Sequence, residues 1–279
     1  MSKNKKINTK LIPIHILLIV ITILTITPLL WIASTSIKFD HEVVSSPPTF
    51  LPKTPTIKPY FDLWGRAPFL TYTRNSLVVS ICSAFLALFV SCLAVYGMAR
   101  FRFRGVKVLI SIFLLSQMFP GASILIPITK LMIQMRLFNT LPGLIILYTA
   151  FFVPFASWML YGYFRSIPRE LDEAAYIDGC SRMGILFRII IPVTVPGLAA
   201  TFVFSFLGSW NEFLFALVLT QSEKVRTLPI GMSLLIGQYH TAWNMLSASA
   251  ILFAIPPLVL FFMFERALVG GLTAGAVKG

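Results

Sequence analysis

One carboxylate stands alone among the apolar segments of this 279-residue sequence. Glu212 is the only acidic or basic residue within six long hydrophobic stretches, and it lies in the run Trp210, Asn211, Glu212 and Phe213. A charge in such a stretch is costly, so it should face a bundle interior or water. Aromatic faces beside hydrogen-bonding groups suit contact with a sugar ring. Alternatively, Glu212 lies near the outer interface, pairs with a neighbour and stabilises the structure there.

Other reactive side chains do not form a recognisable catalytic or metal-binding pattern. The three cysteines (Cys82, Cys92 and Cys180) are an odd number at no metal-ligand spacing, and the three histidines lie far apart in the chain. This pattern predicts neither a disulfide framework nor a zinc site. The sequence also lacks the glycine-rich G-x-x-x-x-G-K-[ST] motif that cradles ATP phosphates. We therefore predict no catalytic residue, no metal and no cofactor in this chain.

The composition is that of a membrane protein. Hydrophobic residues make up 57% of the chain and charged residues only 12%, about half the charged fraction of soluble domains. This excludes a soluble globular protein, and a disordered chain would be poor in apolar residues. The formal net charge of +13 could indicate nucleic-acid binding, but the basic residues lie between the hydrophobic stretches and not on one folded domain.

Six stretches are long enough to cross a bilayer, which needs about 20 apolar residues. We predict an all-α integral membrane protein, with residues 1–279 forming a single transmembrane domain. The first stretch exceeds a typical signal-peptide core, so we interpret it as a retained helix. The predicted spans are 11–36, 75–99, 108–129, 137–164, 193–221 and 245–264.

Basic residues are more concentrated in the connections that lie inside when the N-terminus is cytoplasmic. The positive-inside rule therefore predicts that both termini are cytoplasmic. The first outer connection, residues 37–74, is proline-rich, and we expect extended backbone with little regular structure there. Prolines within several spans favour a bundle with an interior cavity.

The connection 165–192 has the sequence pattern of two helices joined by a turn. Pro168 and the acidic residues that follow it suit a first helical turn. Gly179 can end that helix with a positive φ, and Ser181 can cap a second one. Ala174 and its neighbour Ala175 leave a patch of small residues that another backbone could approach. On physical grounds alone, an amphipathic helix lying on the membrane is an equally good interpretation.

The same connection resembles the EAA loop of ABC-importer permeases, EAA-x3-G-x9-I-x-L-P. The matching residues are Glu173-Ala-Ala, Gly179, Ile189 and Pro192; Ile191 replaces the usual Leu, a volume-conserving change. Further stretches resemble the carbohydrate branch of these permeases, the maltose/glycerol-3-phosphate type. They are 72–77, 118–120, 210–213, 227–231 and 271–279.

The resemblance implies a type I ABC-importer permease subunit that is not itself an enzyme. Its partners would be a second similar permease, two ATPase subunits that bind ATP and Mg, and a periplasmic or lipid-anchored sugar-binding protein. The protein would be located in the bacterial cell membrane. The residues implied in coupling to the ATPase are Glu173, Ala174, Ala175, Asp178, Gly179, Phe187, Ile189 and Pro192. In the last outer connection, those implied in binding-protein contact are Gly231, Gly237, Gln238 and Tyr239; an ordinary exposed loop is the alternative there.

Two other classes of protein remain open at this point. A secondary transporter or channel acting without an ATPase would have several intramembrane charges or internal repeats with broken helices, and neither is clear. An integral-membrane enzyme would need convergent catalytic groups. Permeases of the resembled type serve maltose-like oligosaccharides, trehalose, other sugars and glycerol-3-phosphate. Because the spans contain no Arg or Lys, we expect a neutral sugar.

Overall fold

The computed structural model describes residues 12–66, 68–101, 105–237 and 241–276, with side chains described up to residue 267. Within these residues the chain is helical and has no strand beyond one isolated bridge between Ile236 and Thr241. The predicted all-α class is therefore confirmed. The helices are α1 Ile12–Thr35, α2 Asp40–Val43, α3 Lys58–Arg66, α4 Phe69–Arg100, α5 Val106–Ser116, α6 Gly121–Gln134, α7 Leu141–Ser166, α8 Glu170–Ile177, α9 Arg182–Ile185, α10 Ile191–Val193, α11 Val195–Asn211, α12 Leu214–Leu219, α13 Leu228–Ser233 and α14 Trp243–Ala276, with a π-helical turn at Leu186–Ile190.

Two compact units divide the chain. The first comprises residues 1–67 and 234–254, and the second comprises residues 68–233 and 255–279. Four helices, α1, α4, α7 and α14, are long and apolar enough to span a membrane. Two bent helix pairs among the described residues raise the number of candidate spans to six.

Both bends occur beside prolines. The predicted span 108–129 is formed by α5 and α6, which meet at 96°, and Pro120 is the residue before α6. The segment Arg182–Val193 meets α11 at 82°, with Pro196 in the first turn of α11. Proline provides no backbone donor and clashes with the preceding turn, so helices restart there at a new angle. The predicted span 193–221 contains a further break, at Glu212 and Phe213 between α11 and α12.

In the first unit, residues 37–66 of the predicted proline-rich connection are more ordered than expected. Instead of extended backbone throughout, this stretch contains α2 and α3, and two charged side chains, Lys38 and Glu42, are buried. The Glu42 carboxylate accepts hydrogen bonds from the Lys53 backbone N–H at 2.6 Å and the Thr49 hydroxyl at 3.2 Å. The backbone donor from Lys53 is the main cause of the lowered pKa of Glu42. These bonds fold the proline-rich stretch back on itself.

The second unit is built on α4 and α7, which run parallel. Ser83 in the middle of α4 lies beside Thr149 of α7, and Arg100 at the end of α4 donates to the carbonyl of Ile167 just after α7. Helix α11 is antiparallel to both, since its beginning packs near Tyr163 and its end near Phe152. The predicted order of spans requires this parallel arrangement, because α4 and α7 are the second and fourth spans and one span lies between them.

Small residues bring these helices close together. The hydroxyls of Ser83 on α4 and Ser209 on α11 are 2.8 Å apart. A Cβ atom on Gly208 would lie 2.4 Å from the Phe152 ring, and one on Gly197 would lie 2.5 Å from the Tyr163 ring. Such close contact through glycine and serine is typical of helix packing in membranes.

Candidate functional site

The connecting segment, residues 165–192, folds as the sequence predicts. Helix α8 has its acidic residues in the first turn, and Gly179 ends it with a φ of +82°. The Cys180 N–H donates to the Ala175 carbonyl at 2.9 Å. Ser181 caps α9 by accepting the Gly184 N–H at 3.1 Å. The result is a helix, a left-handed turn and a second helix.

The chain then continues into α11 through the π-helical turn and α10. The Thr194 hydroxyl donates to the Ile190 carbonyl at 2.7 Å, closing the bend before α11. Of the predicted coupling residues in this part, Phe187 and Pro192 are exposed, whereas Ile189 packs against the core. Helical turns therefore connect this segment to α11, and no long loop lies between them.

One side of α8 faces the core of the second unit. Ala175 is buried in a hydrophobic cluster with Ile185 and Leu186, which pack with Val95 of α4 and Phe164 of α7. The sequence predicted that Ala174 and Ala175 form one patch for a partner. The structure instead separates them, since Ala174 is exposed and Ala175 faces inward. The small side chain of Ala175 allows α8 to pack closely against α4 and α7.

Two arginines connect α8 to the end of α4 through an ion pair and hydrogen bonds. The Arg100 Nε lies 2.7 Å from a carboxylate oxygen of Asp172, and the Arg100 Nη1 donates to the Ile167 carbonyl at 3.1 Å. Arg169 donates to the carbonyl of Ala99 at 3.3 Å. Burial raises the pKa of Asp172, and the nearby Arg100 only partly offsets this effect. The sequence analysis did not single out Arg100 or Asp172 as a pair, because 72 residues separate them in the chain.

The other side of α8 is open and largely apolar. Ile177 is 85% exposed, and Leu171, Ala174 and Tyr176 are also exposed. The predicted coupling residues Glu173, Asp178 and Gly179 lie on the surface as well. Clustered exposed apolar residues rimmed by polar ones are typical of protein–protein contact sites. We call Leu171, Ala174, Tyr176 and Ile177 the α8 surface.

At the opposite end of the second unit, Glu212 is engaged within the protein. Its carboxylate accepts the backbone N–H groups of Phe215 at 2.8 Å and Ala216 at 3.1 Å, and it also accepts the Tyr148 hydroxyl. It thereby satisfies the free donors at the start of α12. This matches the alternative in which Glu212 pairs with neighbours.

The residues around Glu212 differ in how far a solute could reach them. Trp210 is 1% exposed and stacks on Phe206 with ring centroids 5.7 Å apart, so its face is not open to a sugar in this conformation. Asn211 and Phe213 are exposed. Of the four predicted pathway residues, these two have exposed side chains that a solute could contact directly. Sequence reasoning missed Tyr148, because an isolated tyrosine in an apolar run carries no distinguishing pattern.

The predicted binding-protein contacts lie in or after α13. Gly231 is buried under the Tyr72 ring, where a Cβ atom would lie 2.3 Å from the ring, so this residue itself offers no contact surface. The α13 region is fixed to α4, since Asn75 donates to the carbonyls of Lys224 and Arg226, both at 2.9 Å. Gly237 is exposed, and Gln238 and Tyr239 lie outside the described residues.

No metal centre is formed by the described parts of the chain, which contain no group of three or more His, Cys, Asp or Glu side chains able to hold an ion. The arrangement instead combines membrane-crossing helices, a rigidly attached connecting segment and an open apolar surface on that segment.

A family model described as the binding-protein-dependent transport system inner membrane component matches residues 91–272. The chain belongs to this family. The resemblance predicted from the EAA-like residues is thereby confirmed. Members are the non-catalytic membrane subunits of ABC importers, in which separate ATPase subunits hydrolyse ATP. The chain is accordingly a multi-pass permease subunit of the inner membrane and not a secondary transporter, a channel or an enzyme.

Relatives cover nearly the whole chain. The sulfoquinovosyl glycerol transport system permease SmoH of Agrobacterium fabrum is 34% identical over 90% of this chain and 88% of its own length. The inner membrane ABC transporter permease YcjP of Escherichia coli is 36% identical over 92% of both chains. The trehalose/maltose permease MalG of Thermococcus litoralis is 33% identical over 94% of both.

The fold is that of solved importer subunits. A chain of a bacterial ABC transporter involved in alginate import superimposes with a TM-score of 0.79 at 21% identity, over 92% of this chain and 95% of that one. This likeness establishes the permease fold for the present chain.

Proposed function

We propose that this permease forms half of the translocation pathway of an ATP-driven carbohydrate importer. The other subunits are a second, homologous permease, two ATPase subunits that bind ATP and Mg, and a periplasmic or lipid-anchored binding protein that delivers the sugar. In this arrangement the connecting segment and both termini face the cytoplasm.

The α8 surface is the observation that carries the proposal. It is apolar, open, and placed on a short helix that the rest of the chain does not cover. Exposure of this kind is explained by a partner that buries it. A groove in the ATPase subunit is the partner that a permease of this family needs, and Glu173 and Asp178 supply a polar rim to that contact.

The attachment of α8 explains how the partner's movement reaches the membrane. The buried face of α8 and the bonds made by Arg100 and Arg169 fix it to α4 and α7. Because packed cores transmit displacement and do not deform continuously, a shift of α8 moves these spans and α11 as a body. Closure of the ATPase pair then drives alternating access.

A carbohydrate as substrate is supported by the relatives. Those at 33–34% identity include permeases named for sulfoquinovosyl glycerol, diacetylchitobiose and trehalose/maltose. In this chain the exposed Asn211 and Phe213 supply an amide and an aromatic face, which suit hydroxyl groups and a sugar ring. We place them on the route and assign the choice of sugar to the binding protein.

Site-directed crosslinking tests the docking of α8. Ala174→Cys is introduced after the three native cysteines are replaced by serine, and Gln221→Cys, exposed at the opposite end of the unit, is the matched control. A short thiol-to-amine crosslinker applied to the complex should join position 174 to an ATPase subunit and leave position 221 free of it. Adducts with lipid alone at position 174 would remove the basis of the proposal.

The turn at Gly179 provides a second test. No atom lies within 4 Å of a Cβ atom placed there, so a side chain meets no clash within the chain, but the φ of +82° disfavours β-branched residues. Gly179→Val should therefore reduce co-purification of the ATPase subunits severalfold. Gly179→Asn, which tolerates the left-handed conformation, should retain it. Recovery of the ATPase subunits at the wild-type level with both variants would show that the conformation of this turn is not needed for docking.

A further inference from the structure

A basic cavity lies next to the connecting segment, and its lining includes none of the four residues of the α8 surface. It has a volume of about 680 Å³ and is bounded by the end of α4, the start of α5 and the end of α7. Four cationic side chains line it, and the described lining residues include no acidic one. These cations are Arg100, Lys107, Arg165 and Arg169.

Two of the four cations are already engaged. Arg100 pairs with Asp172, and Arg169 donates to a backbone carbonyl. Lys107 and Arg165 are exposed and form no ion pair with any residue that the structure describes. The cavity therefore keeps an excess of positive charge, which favours an anion.

Arg100 also has an unused donor. Its side chain is only 7% exposed, and its Nη2 atom is buried without a hydrogen-bond partner among the described residues. Buried donors are nearly always satisfied, because an unsatisfied one costs free energy. Arg100 lines the cavity, so a rotation of its guanidinium group would bring this donor to an anionic oxygen bound there.

The surroundings favour the head group of a lipid as the source of that oxygen. The cavity lies where three membrane helices end, and its lining includes Phe101 and Val108, which are 41% and 62% exposed. Acyl chains can cover such apolar side chains while the head group reaches the cations. Basic pockets between helices at the cytoplasmic side of a membrane are suited to phosphate-bearing head groups.

We propose that this cavity binds the phosphate of an anionic phospholipid, with Lys107 and Arg165 as its main charged contacts and the Arg100 Nη2 as a buried donor. The site is separate from the α8 surface and does not depend on which sugar is carried. Because Arg100 also holds α8, the lipid would bind directly behind the element that meets the ATPase.

Lipid retention by purified protein tests the site. The double variant Lys107→Gln/Arg165→Gln is compared with Lys130→Gln/Arg136→Gln, which removes the same charge from exposed positions at the other end of the unit. Each importer complex is titrated with phosphatidylglycerol or phosphatidylcholine in neutral detergent and examined by native mass spectrometry. A basic residue near an anionic surface contributes about fivefold in affinity, so the first variant should bind phosphatidylglycerol roughly twenty-fivefold more weakly. The second should match the wild type.

Further measurements distinguish a lipid phosphate from a free anion and control for folding. The charge-preserving swap Lys107→Arg/Arg165→Lys should bind phosphatidylglycerol as the wild type does. Equal binding by both Gln variants would overturn the site. Displacement of the lipid by millimolar inorganic phosphate would overturn the lipid as the source and indicate a free anion. Retention by the isolated chain but not by the complex would assign the cavity to the ATPase subunit.

Discussion

Helix α8 and the break at Glu212 lie at opposite ends of the second unit, and both carry charged residues beside the apolar bundle, yet they are organised in opposite ways. At Glu212 the carboxylate is turned inward and satisfied by Tyr148 and the start of α12. On α8 the Arg100–Asp172 ion pair and the buried Ala175 hold the helix to its own chain, while Leu171, Ala174, Tyr176 and Ile177 are exposed. The first region is satisfied within the chain, whereas the second leaves apolar side chains exposed.

A residue that stands out in the sequence is therefore not always one that is accessible to a solute or a partner. Glu212 attracts attention in the sequence because it is charged, but its hydrogen bonds leave it little to offer a solute. Ile177 has no distinguishing chemistry, and its 85% exposure makes it a stronger indication of an interface.

Removing the Glu212 carboxylate should have the largest effect on stability. Glu212→Ala leaves the Phe215 and Ala216 N–H groups and the Tyr148 hydroxyl without their acceptor. Each buried unsatisfied group costs about 1–3 kcal/mol, and measured values in membranes lie at the low end, so we expect a loss of roughly 2–4 kcal/mol. Reversible denaturant unfolding in detergent measures it.

Conservative variants sharpen this prediction. Glu212→Gln keeps one acceptor oxygen, and Tyr148→Phe removes one donor, so each should cost about 1 kcal/mol. Full stability of Glu212→Ala combined with selective loss of transport would reverse the comparison, because Glu212 would then act on the solute and not on the fold.

The contact between α7 and α11 links the two regions, since α11 begins beside the connecting segment and ends at Glu212. A Cβ atom on Gly197 would lie 2.5 Å from the Cγ of Tyr163, near the base of the ring, where the side chain cannot swing away. Gly197→Ala should therefore destabilise the protein by about 1–3 kcal/mol in the same unfolding assay.

Gly162→Ala, one residue from Tyr163, is the matched control. No atom lies within 4 Å of its Cβ position, and alanine is favoured over glycine in a helix by up to about 1 kcal/mol, so stability should be unchanged or slightly increased. Similar losses in both variants would mean that the close contact of Gly197 with Tyr163 is not the cause, because helix propensity alone favours alanine at both positions.

Sequence reasoning reached the fold class and the local form of the connecting segment because both depend on short-range patterns. Gly179 and Ser181 act on their own turns, and apolar length marks a membrane helix. The bends before α6 and α11 were missed, since a proline marks a break without giving its angle. The Arg100–Asp172 pair and the division of Ala174 from Ala175 depend on how distant helices pack, which one sequence does not specify.

The smallest effect should come from Asp172, although it forms a close ion pair. Partial burial raises the pKa of Asp172 in spite of Arg100, so its ionised form gains little from folding. Asp172→Asn should thus change stability by less than about 1 kcal/mol. Arg100→Gln should cost about 2 kcal/mol, because it also removes the bond to the Ile167 carbonyl and leaves a half-buried carboxylate unpaired.

The pH dependence gives an independent check on the same pair. Since the folded pKa of Asp172 lies above its ordinary value, the folded state binds this proton more readily than the unfolded state. Stability should therefore fall as pH rises from the ordinary pKa through the raised one, and Asp172→Asn should lack this step. If instead the wild type loses stability relative to Asp172→Asn as pH is lowered through this range, the Arg100–Asp172 ion pair outweighs burial. The attachment of α8 to α4 would then be mainly electrostatic and sensitive to salt, and the packing of Ala175 would be secondary.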